Sequence, residues 1–243
     1  MRKTAFTLAE VLITLGIIGI VAALTMPSLI AKHQEKVTST KLKKFYSVFS
    51  QAFELAVMQE GDPADWDLIG YDDAQGSLNL LSYFAPHLKI AKNCGLGTGC
   101  FPDVDYKTLD KLVSLNINRY PEQAKIQLND GTLIRFVTRS ADCSADYGST
   151  KMLSSVCASI DADINGFAPP NQWGRDIFGF NITKYGVVPN GTKDENISEF
   201  FDFGTCKISS YGYGCTAWVI YNENMDYLHC DDLSWDGKTK CTP

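Results

Sequence analysis

Three sets of residues in this chain have the types and spacing to do chemistry. Asp161-Ala162-Asp163-Ile164-Asn165-Gly166 sets oxygen donors at alternate positions ahead of a glycine. Calcium loops use this spacing because alternate side chains converge on one hard cation while glycine permits the sharp turn. Gln172 stands where such loops carry a closing glutamate, so Asp176 is the carboxylate that would complete the set. A polar turn, in which Asp and Asn bond their own backbone, uses the same residues. Both readings are open on the sequence, and calcium as a cofactor would steady the fold rather than catalyse.

The second set is eight cysteines, Cys94, Cys100, Cys143, Cys157, Cys206, Cys215, Cys230 and Cys241. No Cys-x-x-Cys knuckle or Cys/His pair at ligand spacing accompanies them, which points away from zinc and toward disulfides in an exported region. Eight cysteines allow roughly a hundred pairings. Joining each to the next, Cys94–Cys100, Cys143–Cys157, Cys206–Cys215 and Cys230–Cys241, is the simplest, since short loops close easily. The third set is a single residue. Glu10 is the only ionisable side chain from Phe6 to Ile30, and a carboxylate in hydrocarbon costs a few kcal/mol and calls for a partner. His33, His87 and His229 are scattered, and no GxSxG, HExxH or phosphate-cradling glycine loop is present, so an enzyme is not expected.

These residues must be positioned by two unlike parts. The chain has 243 residues, a net charge of -6, 45% hydrophobic and 21% charged residues, values that suit one sizeable globular domain plus a segment with another job. The acidic balance, with no Lys/Arg run beyond Lys41, Lys43 and Lys44, argues against nucleic acid as a partner. Residues 6–30, as helix, would reach about 37 Å and cross a hydrocarbon core of ~30 Å. Arg2 and Lys3 before the run put the N-terminus in the cytoplasm and the rest of the chain outside.

After Ile30 the pattern turns amphipathic, with apolar residues recurring at Leu42, Phe45, Val48/Phe49, Ala52/Phe53 and Ala56/Val57. Gly61-Asp62-Pro63 ends it. One helix over 6–60 follows, its first half transmembrane and its second half (31–60) lying under a head of residues 61–243. Within the head, 62–123 reads as loop-rich, and Asn129-Asp130-Gly131 as the turn of a hairpin between 124–128 and 132–136. Further strands are expected at 156–160, 178–182 and 217–221, with Gly186–Pro189 a turn or short strand. No second amphipathic helix is expected. The fold class is α+β, an antiparallel sheet packed on a long helix and stapled by disulfides.

The segment Ala5-Phe6-Thr7-Leu8-Ala9-Glu10-Val11-Leu12 resembles the cleavage and methylation motif of type IV prepilins and type II secretion pseudopilins. Ala5 stands where that family has glycine, and Ala9 where it has a larger aliphatic residue. Pro27 falls where many pilin helices carry a kinking proline. The resemblance implies that residues 1–5 are a leader, cut between Ala5 and Phe6 by prepilin peptidase, with Phe6 then N-methylated and Glu10 the retained glutamate. In a filament, Glu10 of one subunit would neutralise the Phe6 ammonium of its neighbour. Gly16, Gly19, Ala22 and Ala23 would let helices approach closely. Trp173-Gly174-Arg175-Asp176-Ile177-Phe178 is loosely similar to the calcium-containing loop of major pseudopilins.

The function implied is a structural subunit of a type IV pilus or type II secretion-like pseudopilus. Its partners would be other pilin subunits, the inner membrane, prepilin peptidase/methyltransferase and the filament assembly platform. The head would lie in the periplasm and then on an envelope or cell-surface filament. Because tip pseudopilins commonly lack the glutamate, Glu10 favours a place inside the filament. The alternative is a pilin-anchored adhesin or binding protein presenting the Cys94–Cys100 and Cys206–Cys215 loops, a reading that a surface-exposed aromatic patch at Tyr211, Tyr213 and Trp218 would favour.

Overall fold

The computed structural model describes residues 7–196 and 203–242; Ala5 and Phe6, the expected processing site, lie outside them. One helix, α1 (Leu8–Glu60), runs for 53 residues through Pro27 without a break. Thr7 caps it. The Thr7 backbone N–H and hydroxyl both donate to Glu10 Oε2 at 2.8 Å, and the Glu10 N–H donates to Thr7 Oγ1 at 3.3 Å. This reciprocal capping box satisfies orphan donors of the first turn. At the other end Gly61, with φ of 85°, turns the chain in a conformation that a side chain would strain.

The two halves of α1 meet different surroundings. From Leu8 to Ile30 its large apolar side chains are exposed. From Ser39 to Ala56 every third or fourth residue is buried, including Leu42, Phe45, Phe49 and Phe53. Phe49 stacks on Phe84 at 4.6 Å, and Phe45 and Tyr46 both meet Phe180, at 5.4 and 5.9 Å. Each buried phenylalanine contributes about 1.5–3 kcal/mol, so this face anchors the helix to the head.

The head's sheet comprises β1 (Ile90–Gly95), β4 (Ala124–Leu128), β5 (Leu133–Thr138), β6 (Val156–Asp163), β7 (Ile177–Thr183) and β8 (Gly186–Pro189), while β2 (Tyr106–Lys107) and β3 (Ser114–Leu115) form a small hairpin beside it. The six strands are antiparallel in the order β1-β4-β5-β6-β7-β8. The four central strands stand where the alternation and turn residues placed them, and Gly186–Pro189 is a strand. All four disulfides join neighbouring cysteines: Cys94–Cys100, Cys143–Cys157, Cys206–Cys215 and Cys230–Cys241.

Several elements differ from expectation: β1, β2 and β3 are strands inside the stretch that reads as loop-rich, and two helices stand where none was expected. A second amphipathic helix exists, α2 (Ala74–Phe84), inside the stretch that reads as loop. Asp73 caps it by accepting from Gly76 N–H at 2.8 Å, and its buried face is Gly76, Ser77, Leu80, Leu81 and Phe84. Glycine is required there, since a Cβ at 76 would lie 1.9 Å from the Leu68 carbonyl oxygen. Ser77 Oγ donates to Phe136 O and accepts from Ala124 N, pinning α2 to the sheet. The other helix is α3 (Thr216–Asn222), where 217–221 was expected as a strand. A short apolar run has no period that separates buried helix from buried strand. Here Thr216 to Ile220 are buried on every side, so packing decided.

Candidate functional site

Glu10 sits in the first turn of a helix long and apolar enough to cross a membrane, and the apolar window of that helix is 0% buried within the chain. Length and composition alone would equally suit a signal segment near an N-terminus. An ideal Cβ at Gly16 or Gly19 would meet nothing within 4 Å, so their smallness answers no need inside this chain. Glu10 has Thr7 as its partner, and the remaining apolar faces of residues 8–30 have no cover from the head.

The Asp–Asn motif folds into two separate arrangements. Its first half is strand, not loop: Asp161 and Asp163 belong to β6. Asp161 lies directly across the ladder from Arg135, and the two form a buried ion pair at 2.5 Å. Arg135 also donates to Gln123 Oε1 at 3.0 Å. Asp161 therefore has a partner of its own and stands outside the rest of the motif, a correction to the expected calcium set.

Asp163, Asn165 and Asp176 do come together. Asp163 Oδ1 accepts from the N–H groups of Asn165 and Gly166, at 3.1 and 2.9 Å, and its Oδ2 accepts from the Tyr106 hydroxyl at 2.6 Å. Asp176 Oδ1 accepts from Gln172 N–H at 2.6 Å, and its Oδ2 from Asn171 N–H and Asn165 Nδ2 at 2.7 and 3.2 Å. These are the bonds of a polar turn. Both carboxylates are buried, at 0% and 2% exposure. Burial, and then the neighbouring charge of Asp176, pushes Asp163 up to about 7, while burial pushes Asp176 up to about 6. Raised values mean that each ionised form costs stability: the cost is absent below the ordinary carboxylate range near about 4, grows as pH rises from there toward the raised values, and is fully present above them.

The donors fit a hard cation by their chemistry. The carboxylates of Asp163 and Asp176 are buried with no ion pair among the described residues, and the side-chain oxygens of Asn165 and Asn171 are buried without a hydrogen bond there. No group of three or more His, Cys, Asp or Glu gathers for a metal among the described residues, which leaves no thiolate or imidazole set for zinc. Tyr106 and Asn171 were not singled out in the sequence. Tyr106 comes from a two-residue strand remote in the chain, and Asn171 shows its role only through a positive φ of 54°.

Beside this turn a cleft of about 470 Å³ separates α1, from Ala31 to Lys41, from the loop Ile164–Asp176. Glu35 meets His229 Nε2 at 2.9 Å next to it. The exposed aromatic patch that would favour a binding role is not seen at these residues. Trp218 is fully buried and stacks on Phe203 at 4.8 Å, while Tyr211 and Tyr213 are half-buried.

Residues 28–97 are similar to a family of unknown function (DUF6613), a stretch from the end of the exposed half of α1 through α2 and β1. No curated protein and no solved structure matches the chain.

Proposed function

We propose that this chain is a structural subunit of a type IV pilus or of a type II secretion-like pseudopilus, cut before Phe6 and N-methylated there. The observation that carries the reading is the division of α1. Residues 8–30 are uncovered on all faces yet contain one carboxylate, whereas residues 39–56 are clamped beneath a disulfide-stapled head. Such a helix needs lipid before assembly and other helices after it. An uncharged anchor would serve the first need, so Glu10 is explained by the second.

In that role the new ammonium at Phe6 and the Glu10 carboxylate of a neighbour form a pair out of water. Loss of one partner of such a pair costs about 3–5 kcal/mol, so a subunit in the wrong register is rejected. The pair sets register more than it adds net stability. Thr7, which holds Glu10 within the chain, fixes the carboxylate at the edge of the first turn. The head has a structural rather than catalytic task, and lies in the periplasm until the subunit enters the filament. Asp163, Asp176, Asn165 and Asn171 would hold calcium if the head takes it up, and the cation would neutralise the two buried carboxylates.

Two measurements test the proposal. Mass analysis of the N-terminal peptide from native membranes or sheared filaments should give a start at Phe6 with one added methyl group. A start beyond Ile30 would mean an ordinary cleaved signal and end the filament reading. In addition, Glu10→Ala should insert in the membrane as well as the unsubstituted chain yet be lost from sheared filaments.

A further inference from the structure

The loop that follows the polar turn, Phe167-Ala168-Pro169-Pro170, is exposed along its whole length and carries no charge. Phe167 alone is 51% exposed. A single exposed apolar side chain is ordinary; its position is not. Ala168, Pro169 and Pro170 line the cleft opposite Ala31–Lys41 of α1. The exposed apolar run of α1 ends at Ile30, and the cleft that the loop lines begins at the next residue, Ala31. A helix rises about 1.5 Å per residue and a headgroup layer is about 5–8 Å deep. Residues 31–35 therefore fall in that layer, Lys36 stands at its outer edge, and the loop faces them across the cleft.

Charge along α1 just beyond the apolar run is opposite in sign to that of the head. Residues 31–36 carry Lys32, Glu35 and Lys36, a net +1, residues 32–44 as a whole carry a net +4, and residues 45–243 a net -11. Lysines on the exported side of a spanning segment run against the usual cytoplasmic bias of Lys and Arg, so their presence asks for a reason. Lys43 and Lys44 are used by the head, pairing with Glu223 and Asp130. Lys32, Lys36, Lys41 and Arg175 have no ion pair among the described residues. Arg175 lines the same cleft as the loop.

We infer that the underside of the head rests on the lipid surface, with Phe167-Ala168-Pro169-Pro170 in the headgroup layer and Lys32, Lys36 and Arg175 facing anionic phospholipid. This rests on the reading that residues 8–30 span a bilayer. The surface is continuous with the spanning segment, and its free cations complement anionic headgroups. An acidic head would otherwise be repelled by such a membrane. Each basic residue near an anionic surface contributes about 1 kcal/mol, enough to bias the head's tilt without trapping the subunit when it leaves for a filament.

The test uses the full chain carrying Phe167→Trp in lipid nanodiscs, with and without phosphatidylglycerol in phosphatidylcholine. The unsubstituted chain supplies the background from its own tryptophans. Trp fluorescence is quenched by nitroxide lipids labelled near the headgroup or deep in the acyl chain, while hydrogen exchange reports on residues 8–30. The expected result is protection of 8–30 together with quenching of the new fluorescence, stronger for the shallow label and stronger with phosphatidylglycerol. Lys32→Gln combined with Lys36→Gln should lower the docked-to-free ratio roughly 10- to 30-fold in phosphatidylglycerol discs, from about 1 kcal/mol per lysine. Protection of 8–30 with no quenching at position 167 overturns the inference and leaves the spanning reading intact. A chain that does not enter the disc ends both. Quenching that needs two chains per disc and ignores lipid charge assigns the surface to a second copy instead, and overturns it as well.

Discussion

Asp161 and Asp163 are two residues apart on one face of β6, yet one is in a closed ion pair and the other in an uncompensated carboxylate pair. The difference lies in what stands across from each. Arg135 is opposite Asp161, whereas Leu133 is opposite Asp163. A prediction follows at this scale for Asp163→Asn. The amide keeps the turn's acceptor for Asn165 and Gly166, and the Tyr106 hydroxyl can rotate to accept from the new amide N–H. With chelator present, removing a buried charge repelled by Asp176 should leave the variant as stable as the unsubstituted chain, or more so by on the order of 1–3 kcal/mol. Added calcium should raise the Tm of the unsubstituted chain and not that of the variant. Calorimetry in chelator and in calcium reads both arms, and an unsubstituted chain indifferent to calcium would leave the motif a polar turn alone.

Among the elements, α1 was legible because its buried face repeats at three and four residues from Ser39 to Ala56, about five turns, a period no strand imitates. Helix α2 was hidden because the two residues that touch the sheet at its start are Gly76 and Ser77, which carry no apolar signal. Their smallness is what the packing demands, a fact visible only once Leu68 is seen above Gly76. Gly76→Ala separates the two scales. Helix propensity alone predicts a gain of about 1 kcal/mol for alanine over glycine. The contact predicts a net loss, since a Cβ at 1.9 Å from backbone forces α2 away from Leu68, an overpacking cost of about 1–3 kcal/mol beyond that gain. Urea unfolding should show the variant less stable, and a more stable variant would mean that α2 is free to move at that point. The run 217–221 was misread for a related reason: five buried residues satisfy a helix or a strand, and only the neighbours of α3 choose between them.

For the molecule as a whole, four staples close short segments around a core that α1 and the sheet already build. Cys143–Cys157 ties the loop after β5 to β6 across a separation of 14 residues, with both cysteines buried. Replacing both with alanine should cost roughly 2–4 kcal/mol in urea unfolding, with the helical and sheet signals retained below the transition. A loss near zero would show that the core holds this loop unaided. Sequence by itself determined the two-part design, an apolar helix with one carboxylate followed by a cysteine-rich head, because composition and period are local properties. It also indicated the hairpin, the central strands and the simplest cysteine pairing, each of which depends on residues near one another in the chain. Tertiary structure alone decided that Asp161 belongs to Arg135, that Tyr106 reaches Asp163, that Trp218 is core, and that the Phe167 loop hangs beside the end of the apolar segment. Each of those depends on which strand lies next to which, and that order is set by burial of side chains far apart in sequence rather than by any local pattern.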